Sequence, residues 1–391
     1  MPSSLLDSLV ANFYDIMNRW TLFLLLASSL VVGCGHKGSS SISDGGDTLK
    51  CKYAHNLLMV RHSAYTEVIL SNPWKKGSVL HRYVLVAHKD SGTVSGLPDG
   101  TVVYTPVRSM VVATAPHCQL MESLGEQKAV KGVFDAMYIK NTSIRSGLQN
   151  GSVTDCGSSM QPNIELLAKV APDAIFVSPY ENSGYGALSK LGIPLLECAD
   201  YMETSALGRA EWMKFYGLLV GREAAADSLF DVVESRYKNL SQKAKAEKRR
   251  PKVITERVYS GVWYCPGGQS SMAGLLADAG SHYVFADDDH SGSLSLSPEK
   301  VLETAKDADY WLFVHDAPSL LSPAQLLKEY AGYGLIKAFR EGNIYECSGT
   351  STDYFETLSF RPDLILEDLV HLFHPSVCTR PSVYYQRWKR E

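Results

Sequence analysis

One pattern constrains this chain before any other: a helix-then-strand unit is written twice, about 134 residues apart. Residues 163–178 read NIELLAKVAPDAIFVS, and residues 297–314 read SPEKVLETAKDADYWLFV. Each opens on a residue that caps helices well, Asn163 or Ser297, because a short polar side chain can accept an orphan backbone N–H of the first turn. Each carries a glutamate two positions later, Glu165 or Glu299, where its charge suits the positive end of the helix dipole. Each ends in an aspartate and an apolar run that reads as a buried strand. Helix stabilisation accounts for one such glutamate; the pairing of two asks for a further reason.

The same alternation runs on either side of these units. From Val107, RSMVVATAPHCQLMESLG reads as strand, loop and helix, and GYGALSKLGIPLLEC as helix, glycine stop and strand. From Lys252, KVITERVYSGVWYCPGG, SSMAGLLADAG and LKEYAGYGLIKAFREGNIYECSG continue it, and RPDLILEDLVHLFHP closes the chain as a helix. Strands alternating with helices favour a parallel sheet covered by helices. Between the two blocks lies a helical tract. RAEWMKFYGLLVG reads as one helix, and REAAADSLFDVVESRYKNLSQKAKAEKRR as a second of about 26 residues, stopped by Pro251; at 1.5 Å per residue it reaches roughly 39 Å. The fold class expected is therefore α/β: two lobes with mostly parallel sheets, joined by one long helix. Residues 51–105 are strand-rich and expected to form a small antiparallel sheet ahead of the first lobe. The lobes are placed at 51–208 and 251–391, with the connecting helices at 209–250.

The first 33 residues read as a signal peptide. The run WTLFLLLASSLVV from Trp20 to Val32 is too short for a comfortable membrane span and the right length for a signal core. Asp7 and Asp15 fit a basic leader poorly, so Met17 is a cleaner start. The phrase VVGC resembles a bacterial lipobox, making Cys34 the lipidated residue, with 34–50 a flexible Gly/Ser tether. An uncleaved anchor is the alternative; either way the folded part lies outside the cytoplasm, at the periplasm or the cell surface. A formal net charge of −4 without a basic stripe argues against nucleic acid. Seven cysteines remain after Cys34, with no CxxC or Cys/His spacing, so no zinc site and no disulfide pairing is assigned.

The order of these phrases, over about residues 105–375, resembles the helical-backbone substrate-binding proteins of ABC importers. That resemblance implies a monomeric, non-enzymatic lipoprotein that carries a ferric siderophore, haem or cobalamin to an inner-membrane ABC permease. It also implies that Glu165 and Glu299 dock onto basic residues of the permease, one per lobe, where a carboxylate and an arginine form a charge-assisted bond.

Ligands of open α/β sheets meet the loops at the carboxyl ends of strands. The candidates there are Thr114, His117, Tyr138 and Tyr180 in the first lobe, and Trp263, Gln269, Ser270 and Asp289 in the second. Aromatics offer contact area to a macrocycle or catechol, and a glycine-led helix start offers N–H donors. No spacing supports a bare-metal site, so a bulky chelate is favoured over an ion, and no resident cofactor is expected. A metal-ion carrier of the same fold, a ligand-sequestering lipoprotein without a permease, and an extracytoplasmic enzyme are the rivals. The chain contains no P-loop, HExxH, GxSxG or helix-opening GxGxxG.

Overall fold

The computed structural model describes residues 46–388. The signal segment, Cys34 and most of the expected tether lie outside these residues. The end of that tether does not: Asp47–Leu49 is a strand, β1, and opens a five-stranded sheet with β2 (Leu57–Arg61), β3 (Thr66–Ser71), β4 (Val79–Ala87) and β5 (Thr101–Thr105). Its pairings are antiparallel except for the last, β4 with β5, which is parallel. Alternation along β2 and β3 buries Leu57, Met59, Val68 and Leu70 on one face, as period-two sequences do.

The first lobe is a five-stranded parallel sheet of β6 (Met110–Val112), β7 (Val130–Val133), β8 (Thr154–Asp155), β9 (Ala174–Val177) and β10 (Leu195–Glu197). Its order is β10-β9-β6-β7-β8. The chain therefore builds outward from β6 in one direction, then returns to build on its other side, leaving a switch point between β6 and β9. The second lobe repeats the plan. In chain order it supplies β11 (Lys252–Thr255), β12 (Val258–Tyr259), β13 (Val262–Pro266), β14 (His282–Tyr283), β15 (Ser293–Leu296), β16 (Tyr310–His315), β17 (Ile344–Ser348) and β18 (Gln386–Arg387). The main sheet runs β14-β11-β16-β17-β18, parallel except at β18, with a three-stranded antiparallel sheet of β12, β13 and β15 beside it. Here the switch point lies between β11 and β16.

The connecting tract is three helices where two were expected. Trp212 separates Ala206–Glu211 from Met213–Leu219; its side chain is fully buried. The long helix spans Glu223–Ala246, 24 residues, or roughly 36 Å. It stops before Lys248-Arg249-Arg250, Glu247 being already extended, and Pro251 keeps it from resuming by disfavouring helical backbone at Arg250. Phe230, Val233 and Tyr237 bury its inner face, and Arg236 reaches Asp363 and Glu367 of the final helix, Pro362–Phe373.

A short strap, Lys52–Asn56, fastens the added sheet to these helices. Glu211 accepts the backbone N–H groups of Lys52, Tyr53 and Ala54 at 2.9, 2.7 and 3.0 Å. Glu203 accepts those of His55 and Asn56 at 3.0 and 2.9 Å. Glu234, on the long helix, takes the Tyr53 hydroxyl and the ammonium groups of Lys52 and Lys238; the Lys238 bond foremost, with those of Tyr53 and Lys52, holds its carboxyl down at about 2. Gly208 is what lets the strap lie so close, since a Cβ there would stand 2.7 Å from the Tyr53 carbonyl oxygen.

Candidate ligand site and docking surface

A cavity of about 650 Å³ opens at the carboxyl ends of β6, β7 and β9 in the first lobe. Its floor is the set of residues that follow or end those strands: Ala113, Phe134, Val177 and Ser178. Its sides are Pro179 and Tyr180, the loop Gly184–Leu188, and Ser159, Met160, Pro162 and Ile164. This is the β6–β9 switch point, where the loops of two oppositely built halves diverge and leave space. None of the lining residues carries a charged side chain. Tyr180 is 52% exposed and Met160 75%, so both present apolar surface outward from the folded chain. Tyr185 stands on the wall in left-handed backbone, φ 49°, and its hydroxyl donates to Glu197 at 2.9 Å.

The candidates read from the sequence separate into two groups. Tyr180 lines the cavity, and Tyr138, 68% exposed at the end of the turn Ala136–Tyr138, lies on the loop after β7. Thr114 precedes the helix Ala115–Ser123 and bonds the Nδ1 of His117. His117 itself is buried, with its Nε2 3.1 Å from Asp200 in an ion-pair contact that is not a formed hydrogen bond. Its ring packs edge-on against Tyr216 and Phe360 at 4.7 and 5.3 Å. Burial opposes its charge, but Cys198 and Asp200 outweigh that and raise it to about 10. It is an interior cation bridging the lobes, not a group offered to a ligand.

In the second lobe Trp263 is fully buried, its indole donating to Thr255 and its ring against Trp311 and Tyr333. Its neighbour Tyr264 faces outward at 44% exposure, as alternation along β13 requires; that alternation was the signal separating the two. Ser270 spends its hydroxyl capping the helix Ser271–Asp278, accepting from Ala273 N at 3.2 Å. Gln269 and Asp289 are exposed, and neither borders the cavity. The preceding Gly267 and Gly268 are pressed against backbone, a Cβ on either meeting carbonyl oxygens at 2.2–2.7 Å, so this glycine turn is a packing feature rather than an open N–H cradle.

The second lobe's own strand ends are polar. Glu256 follows β11 in left-handed backbone, φ 60°, and burial raises its carboxyl to about 7 against the lowering effect of Arg257. His315, at the end of β16, accepts from Ala317 N at 3.1 Å and lies 3.2 Å from the buried Glu346. The lobes also touch directly: the Lys140 ammonium, on the first-lobe loop after Tyr138, donates to the carbonyls of Gly349 and Thr352 beyond β17.

Glu165 and Glu299 are both exposed, each in the first turn of a helix, Ile164–Val170 and Pro298–Ala305. Both caps form: Asn163 accepts from Leu166 N at 3.0 Å, and Ser297 from Lys300 N at 3.3 Å. Sequence reasoning had missed Phe134, Met160, Ile164 and the floor residues; the position one past each strand end was the available signal.

A family model described as periplasmic binding protein matches residues 112–350. An uncharacterized lipoprotein of Methanocaldococcus jannaschii is 28% identical over 361 residues, covering 85% of this chain and 84% of that protein. A periplasmic heme binding protein from Pseudomonas aeruginosa shares the fold with a TM-score of 0.57 at 19% identity, over 73% of this chain and 99% of that one. An ABC-type Fe3+-hydroxamate transport system protein from Saccharomonospora viridis does so at 0.54 and 20%, over 69% and 94%.

Proposed function

Because this chain belongs to the periplasmic binding protein family, we propose that it captures a bulky metal chelate and hands it to an ABC permease. Family membership makes it a solute-binding protein and not an enzyme. The observation that carries the finer reading is the uncharged cavity at the β6–β9 switch point. A wall without carboxylate, imidazole or thiol suits the apolar body of a chelate and is poorly made for a naked cation, which needs several hard or borderline donors. Haem and hydroxamate, named for the proteins of like fold, are chelates of this kind. Tyr180, Tyr185, Phe134 and Met160 supply the contact surface, and Tyr138, exposed on the loop after β7, is a further candidate. His117 and Trp263 are left out because both are sealed in the interior.

Docking is assigned to Glu165 and Glu299, whose carboxylates stand exposed on separate lobes and can each take an arginine of a membrane partner. A lipid anchor at Cys34, by likeness to the relative described as a lipoprotein, keeps the protein at the outer side of that membrane. The test has two arms. Hemin, cobalamin and a ferric hydroxamate are titrated against the purified protein, following absorbance and tryptophan fluorescence; one saturates, and Tyr180→Ala weakens it about tenfold. Saturation by none would sink the chelate reading. The double variant Glu165→Ala, Glu299→Ala keeps that affinity and loses uptake, whereas unchanged uptake would remove the docking assignment.

A further inference from the structure

The added sheet is not part of the resemblance that frames this fold, yet it touches the edge strand β10 and, through Glu197, a residue of the cavity wall. Tyr83 of β4 lies against the edge strand β10, its hydroxyl donating to the Leu195 carbonyl at 3.0 Å and accepting from Glu197 N at 2.8 Å. The phenol thus satisfies the sheet edge as a further strand's peptide group would. Two residues earlier, on the same face of β4, His81 stacks on Tyr83 with centroids 4.4 Å apart and holds Thr101 at 2.8 Å through Nε2. Its Nδ1 points to Glu197, 3.9 Å from Oε2.

Glu197 is the unusual group. It is 7% exposed; its Oε1 accepts from Tyr185 on the cavity wall, and its Oε2 has no hydrogen-bond partner. A buried carboxylate oxygen without a partner carries a desolvation cost. Among the described residues, His81 is the one at an ion-pair distance from it. Around Glu197, β4 contributes His81 and Tyr83, the wall loop contributes Tyr185, and Cys198 adjoins it in the chain.

We propose that the added sheet is part of the ligand site, and that His81, acting through Glu197, positions the Tyr185 wall of the cavity. That the cavity holds the ligand rests on the reading given above; that His81 holds the wall does not. Tyr185 needs holding, since a non-glycine residue in left-handed backbone between Gly184 and Gly186 has little of its own to keep it there. One proton added to the His81–Glu197 pair supplies the missing partner of Oε2, whichever group carries it. Burial lowers the imidazole and, with Tyr185 opposing, raises the carboxyl. The pair therefore takes up its proton on acidification.

Two readouts on the full chain test this. In ligand-free protein at pH 5.5, His81→Gln and Tyr185→Phe each speed amide hydrogen exchange of residues 184–188 about fivefold, while β6 and β9 exchange as before. With hemin as the probe, wild-type affinity rises about threefold as pH falls from 7.5 to 5.5, and the His81→Gln profile is flat. Wild-type exchange rates in the 184–188 loop of His81→Gln would overturn the proposal. So would a hemin profile in that variant that still rises with acid. If hemin binds neither protein, the chelate reading suffers and the exchange arm still decides the role of His81.

Discussion

The two repeated units begin alike and end differently. Both are capped helices with an exposed glutamate in the first turn. Behind Glu165, however, Pro162 and Ile164 are cavity wall, so the residue that would meet a permease shares a helical turn with the surface that would meet the ligand. Glu299 flanks instead a groove of about 560 Å³ lined by Glu303, Lys306, Asp307, Lys337 and Arg340 with two leucines. Lys300 with Glu303 and Lys252 with Asp307 pair across or beside it, as on an ordinary solvated face. The local sequence specifies the surface carboxylate in both cases. The strand ends, far away in the chain, differ as well: small and apolar at Ala113, polar at Glu256 and His315.

That contrast can be broken in three ways. Ala113→Phe fills the floor of the first-lobe cavity and lowers chelate affinity about a hundredfold, while Leu302→Phe beside Glu299 leaves it within about twofold. Equal losses in a binding titration would erase the distinction between the lobes. A smaller effect is expected at Glu256. Its folded pKa is raised to about 7, so the fold favours the protonated form, and ionising it costs stability. That cost is absent below the unfolded value near 4.5, grows through the interval, and is complete above about pH 7. Glu256→Gln therefore stabilises by about 2 kcal/mol at pH 8 and by almost nothing at pH 4, whereas Ser178→Ala, after β9 in the first lobe, shows no such pH dependence in thermal melts. Smallest and most even are the caps. Asn163→Ala and Ser297→Ala each cost about 1 kcal/mol; a clear inequality between them in denaturant unfolding would mean that the two units are not equivalent even locally.

The periodic parts of this chain were readable from the residues alone. Alternating strands and helices, the long helix and both caps follow from spacings within a dozen residues. The parts that went astray depend on partners distant in sequence. His117 looked available until Asp200, Tyr216 and Phe360 closed around it. Trp263 and Tyr264 are neighbours with opposite fates, set by which face of β13 meets Trp311. Residues 47–49 lacked core character but found β2 to pair with, and Trp212 split a helix that its neighbours' propensities would have run straight through. The cavity was the least visible feature, since a wall of uncharged residues drawn from four separate stretches comes together only when three strands end side by side.

The strap at Lys52–Asn56 has a mechanical consequence. Its five consecutive N–H groups and two side chains are gripped by Glu203 and Glu211, beside and in the short connecting helix, and by Glu234 of the long one. It works as a cleat: tension arriving from the chain ahead of residue 46 passes through β1 into the connecting helices and is taken up there. The cavity strands β6, β7 and β9 lie off that line of force. A pull on the N-terminus is therefore taken up by the beam between the lobes ahead of the β4 contacts that lead to the cavity wall.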